Sequence, residues 1–215
     1  HRITQPDHLV RLISDYGFQR SSEMDNGESV FVKRLTPGPG QDPSPIETHL
    51  RFYPSFYDGE QVDKFLIPIR PEYHDKLFTS YDKRQAKIQE FGGEFISEGN
   101  AIKKAFLTKA NTKQIKPADI LLFYRSRDHM EITTLGVCEQ VEYDVSDSEE
   151  VSELLGKRSV FTSLEIEEMI GDTSVTVLLF KRHFNLKNPI HYHNLREREI
   201  LSGPPQTIQE IPEEG

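Results

Sequence analysis

With 215 residues, 28% of them charged and 35% hydrophobic, the chain can bury a sizeable core and has the composition of a soluble globular protein. Its net charge of −9 argues against indiscriminate binding to DNA or anionic membrane. No apolar run approaches the roughly 18 residues that span a bilayer, HRITQPDHLV lacks the apolar region of a signal peptide, and the lone Cys138 excludes an internal disulfide or a cysteine-based zinc site; a cytoplasmic protein with no membrane partner is expected.

The sequence starts at His1 without an initiator Met, which points to a piece of something longer. Residues 7–16 read as a helix capped by Asp7, with Leu9, Leu12, Ile13 and Tyr16 on one face and Gly17 as its stop. Phe18-Gln19-Arg20 and residues 29–33 then form a hairpin around Asp25-Asn26-Gly27. These elements are too small for a core of their own and must lean on other chain. TPGPGQDPSP (36–45) has linker composition, and residues 37–61 are read as a linker. A new body, 62–215, follows.

In that body the pattern predicts a strand at 64–69, a helix near Pro71–Phe78, a helical or irregular stretch at 80–95 and a helix starting near Asn100. Strands follow at 119–125 and about 132–143. Two short helices carry capping-box patterns, Ser146 with Glu149 and Thr162 with Glu165. A strand at 174–184 and a terminal segment after Asn188 complete the body. Strands with irregularly spaced short helices define an α+β protein whose curved sheet or small open barrel has helices at its ends.

Basic residues collect in 99–128, where Lys103, Lys104, Lys109, Lys113, Lys116, Arg125 and Arg127 face only Asp119 and Asp128. If Asn100 caps a helix, Lys103 and Lys104 lie in its first turn, where cations oppose the helix dipole. A bound phosphate or carboxylate would explain them; two solvated surface lysines are the bland alternative. In DILLFYRS, alternation sends Ile120, Leu122, Tyr124 and Ser126 one way and Leu121, Phe123 and Arg125 the other. A Tyr ring, a guanidinium and a hydroxyl at a strand end can stack on a base and bond its edge.

KPADILLFYRS through ITTLGVCEQVEYDVSD resembles the EVE-type branch of the PUA-like superfamily, over about residues 62–190. The resemblance implies a pseudo-barrel that binds RNA or a modified nucleobase beside this strand and the preceding helix. Carried over by position, Asn100, Lys103, Lys104, Tyr124, Arg125 and Ser126 would line or border the cleft. The turn that usually holds glycine has Ala118 here, and with no Trp the tryptophan cage of related methyl-base readers is missing. The front, DHLVRLISDYGFQRSSEMDNGESVFVKRL (about 1–36), resembles the last helix and hairpin of a GNAT-type acetyltransferase. The pyrophosphate loop of that family is absent from these residues, so the chain by itself is expected not to be catalytic. No cofactor is expected, acetyl-CoA entering only with an upstream catalytic half.

Other motifs carry less. His191-Tyr192-His193 could begin a metal site if extended. Gly156-Lys157-Arg158 reads as a helix C-terminus. No G-x-S-x-G elbow or P-loop occurs.

Overall fold

The computed structural model describes residues 6–78, 102–158, 160–171 and 173–212. They fall into two compact units, His1–Val62 and Asp63–Gly215.

In the first unit, helix α1 (Pro6–Asp15) ends at Gly17, whose φ of +83° is a conformation glycine adopts without strain. A side chain there would collide with the carbonyl of Arg51, 2.0 Å from where its Cβ would stand. Strands β1 (Phe18–Glu23) and β2 (Ser29–Lys33) pair antiparallel around Gly27, itself at φ +83°. Helix α2 (Pro45–Arg51) lies inside the stretch read as linker. Ser44 and Glu47 form its capping box and Pro45 supplies the preset φ of a first helical residue.

Among the described residues, the second unit is a six-stranded sheet with helices around it. Its strands are β3 (Lys64–Ile69), β4 (Lys103–Thr108), β5 (Ile120–Arg125), β6 (Glu131–Val145), β7 (Val175–His191) and β8 (Gln209–Ile211), in the order β4-β7-β6-β5-β3-β8. Only β3 and β5 run parallel, Ile69 lying opposite Arg125. The helices are α3 (Pro71–Leu77), α4 (Ser148–Leu155), α5 (Ser163–Ile170) and α6 (Tyr192–Glu197).

Alternation divides this sheet into two faces. Phe65, Ile67 and Ile69 of β3 and Leu121 and Phe123 of β5 enter the larger core with Phe78, Phe106 and Phe180. Phe123 meets Phe180 and Phe78 at ring-centroid distances of 4.6 and 5.0 Å. Burying each such ring contributes about 1.5–3 kcal/mol. Leu66 and Tyr124 face the other way, into a smaller cluster with Ile132, Leu195 and Leu201. A bulge in β6 sits at this division. Phe123 pairs with Thr134 but Tyr124 with Ile132, leaving Thr133 as the extra residue.

Three expectations need correction. Residues 103–108 are strand β4, not a helix from Asn100, because every residue from Lys103 to Thr108 pairs with β7. Asn100 itself, like the stretch 80–95, lies outside the described residues. The cap of α4 is Asp147, which accepts the Glu149 N–H at 2.8 Å, rather than Ser146. Strand β7 continues past residue 184 to His191, its extension paired with the start of β6. The Thr162–Glu165 capping box forms as read, and Gly156 closes α4 at φ +50°.

Candidate nucleic-acid interface

The turn before β5 fixes where its far end emerges. Ala118 takes φ +78°, a left-handed conformation that glycine adopts more readily than alanine. The buried Asp119 carboxylate accepts the N–H groups of Lys116 (2.8 Å) and Asp63 (3.0 Å), tying the starts of β3 and β5 together. Two parallel strands pinned at one end deliver their carboxyl ends side by side. The Ser126 amide and hydroxyl both donate to the Ile69 carbonyl there, at 2.9 and 3.0 Å.

At that place lies a cavity of about 380 Å³ lined by Pro68, Arg70, Tyr124, Ser126, Arg127, Met130 and the segment 204–206. Arg70 and Arg127 are exposed, and no carboxylate is among the lining residues. Arg127 and Met130 hold φ of +72° and +51°, so the turn beyond β5 is twice forced into a conformation that costs a non-glycine residue about 1 kcal/mol or more. Tyr124 is 1% exposed, and its hydroxyl has no hydrogen-bond partner among the described residues. An unmade bond of that kind costs about 1–3 kcal/mol. Burial, with Tyr192 nearby, pushes its pKa up to about 12, so the hydroxyl keeps its proton near neutrality.

The opposite face of the same strand end is closed. Arg125, 6% exposed, spans Asp128 (Nε to Oδ2, 2.9 Å; Nη2 to Oδ2, 2.7 Å) and Asp75. Its Nη1 also meets Nδ1 of the fully buried His74 at 3.2 Å. A guanidinium only donates, so Nδ1 accepts and the ring proton sits on Nε2, donated to Thr133 Oγ1 at 2.7 Å. Burial holds the His74 pKa below its ordinary value. Burial works to raise that of Asp128, but bonds from Arg125 and the His129 amide outweigh it and leave the carboxyl below its usual range. The bulged Thr133 and the strained 126–130 turn are thus joined through one buried network.

The residues singled out from sequence are therefore spread over three places. Tyr124 and Ser126 line the cavity; Arg125 lies behind it, as alternation implied. Lys103 and Lys104 line neither this cavity nor the adjoining one. Lys103 pairs with Glu139 at 3.2 Å, a carboxylate shared with Lys181 at 3.5 Å. Lys104 is 1% exposed in β4, and burial, with Arg182 nearby, lowers its pKa to about 7. His191 and His193 go to separate acids, Glu131 (3.2 Å) and Glu197 (3.1 Å). Arg70 and Arg127 were missed. The usable signal was Arg70 before Pro71, an extended residue ending a strand, and a second arginine two places after Arg125.

A sheet-dominated α+β unit of this topology is a PUA-like fold. The fold is shared with the ASCH protein of Zymomonas mobilis, 14% identical, with a TM-score of 0.52 over 70% of this chain and 89% of that one. Two single-substitution mutants of that protein match equally, at 14% and 13% identity. No protein-family model and no curated protein matches the sequence. Among the described residues, no helix is long and apolar enough to cross a membrane.

Proposed function

We propose that the Asp63–Gly215 unit is an RNA-binding module that takes an unpaired nucleotide at the joined ends of β3 and β5. The observation that carries this reading is a pair of exposed arginines around a cavity with no carboxylate in its lining, in a chain of net charge −9. Arg70 and Arg127 attract phosphate; the Tyr124 hydroxyl, enclosed in the free chain, offers a donor to a guest that uncovers it. The PUA-like fold is compatible with this at a coarse level. The EVE-type assignment and recognition of a modified base belong to the same reading.

Fluorescence anisotropy with short single-stranded RNA, and the same DNA sequence beside it, tests it. Arg70→Ala/Arg127→Ala should weaken RNA binding at least tenfold and lower the salt slope by about 1.4. Unchanged affinity at low salt removes the cavity from the interaction. A panel of modified nucleosides tests the finer claim. The alternative is a targeting part of a GNAT-type N-acetyltransferase, and it draws on α1 and the β1–β2 hairpin. Acetyl-CoA-dependent acetylation by the natural full-length protein would favour it.

A further inference from the structure

The arginine-lined cavity shares Pro68, Arg70 and Gln206 with a second cavity, of about 560 Å³, on its other side. The two lie next to each other, with Arg70 at the boundary. Each has the size of a small-ligand site, yet their linings differ. The first holds arginines and no carboxylate. The second has an apolar and aromatic wall of Tyr73, Phe106, Phe161 and Met169, and its charged residues are the acids Glu165 and Glu168 and the cations Arg70 and Lys109. Tyr73 and Phe161 stand 4.8 Å apart between ring centroids. Glu165 is already engaged by Thr162 and by Lys76 at 3.3 Å. Glu168 is exposed and makes no hydrogen bond or ion pair among the described residues.

A phosphate is attracted by the first cavity, whose arginines face no acid, whereas in the second Glu165 and Glu168 offset Arg70 and Lys109. A base is accepted by the apolar wall, and a carboxylate can take a hydrogen bond from an exocyclic amino group. Resting on the RNA reading above, we infer that the two cavities are consecutive subsites for two adjacent nucleotides of one strand. Arg70 holds the phosphate that links them. The second subsite takes a base bearing an exocyclic amino group, its N–H donated to Glu168. Uracil has no such group and is the disfavoured occupant there.

Calorimetric titration of the intact chain with uridine 5′-monophosphate, pUpU, pUpC and pCpU tests this. The better of the two mixed dinucleotides should bind at least tenfold tighter than the mononucleotide and at least fivefold tighter than pUpU. Arg70→Ala should erase the gain from mononucleotide to dinucleotide. Glu168→Ala, at an exposed helical position, should bring the preference over pUpU below twofold. If single-stranded oligomers bind through Arg127 but a dinucleotide gains nothing over the mononucleotide, the paired subsites are wrong and the RNA reading stands. If dinucleotides gain but pUpU equals the mixed ones, the role of Glu168 is wrong. If neither oligomers nor dinucleotides bind, both readings fall.

Discussion

Phe123 and Tyr124 are neighbours in β5 and both are almost wholly buried, yet they belong to different kinds of protein surface. Phe123 and Arg125 face a side where every demand is met. The ring is enclosed by Phe78 and Phe180, and the guanidinium by Asp75, Asp128 and His74. Tyr124 and Ser126 face a side with an open cavity and an unsatisfied hydroxyl. The difference teaches that one face of a strand can carry stability while the other is left incomplete for a ligand. A protein tolerates an unmet donor of about 1–3 kcal/mol when the reverse side supplies several times that much.

The sharpest way to break this contrast is Phe123→Ala, which should cost about 3–5 kcal/mol in urea unfolding through the cavity it leaves. A loss under about 1 kcal/mol would mean that the larger core does not depend on this face. Arg125→Ala comes next. Asp75 and Asp128 are 47% and 38% exposed, so water can take over part of the arginine's role. The loss should be about 2 kcal/mol, less than the 3–5 of a fully enclosed pair. It should weaken RNA binding too, because the 126–130 turn that places Arg127 is anchored by Asp128.

Acidification gives a smaller effect of fixed sign. His74 is neutral in the folded chain with a lowered pKa, whereas in the unfolded chain it takes a proton near pH 6.5. The unfolded state therefore binds more protons as pH falls through about 6.5, and stability drops toward the lowered folded value. Lys104, at about 7 folded, loses stability in the same direction as pH falls from 10.5 to about 7, so it adds to the loss at the start of that window and levels off below it. Unfolding curves at pH 7.5 and 5.5 should show the acid loss, and His74→Gln should shrink it. Tyr124→Phe should move stability least, within about 1 kcal/mol and toward greater stability, since it deletes an unpaired hydroxyl. The same variant should bind RNA less well, so thermal unfolding and anisotropy should diverge for this residue.

How much of this was legible depends on the range of each signal. The strands at 64–69 and 119–125, the first hairpin and the Thr162 cap are local patterns, and they form where the sequence puts them. The Gly-Asn start before Lys103 is also local, but pairing of β4 with β7 decides that segment, and no short-range rule sees it. The extension of β7 to His191 depends in the same way on the first residues of β6. Alternation alone put Tyr124 and Ser126 on one side and Arg125 on the other. The cavity's arginines needed more: a parallel register that sets Ile69 beside Arg125, and a left-handed Arg127. Its far wall, Pro204 to Gln206, comes from a segment with no pattern of its own.

The place of β8 has a consequence for synthesis. Lys64, in the first strand of the sheet to leave the ribosome, pairs with Ile211, in the last. Until residues 209–211 emerge, one flank of β3 offers a nascent chain bare amide and carbonyl groups, the kind of edge that recruits stray strands. The PUA-like unit is therefore one whose earliest strand waits for its latest, and a chain stalled shortly before residue 209 should be a client for chaperones.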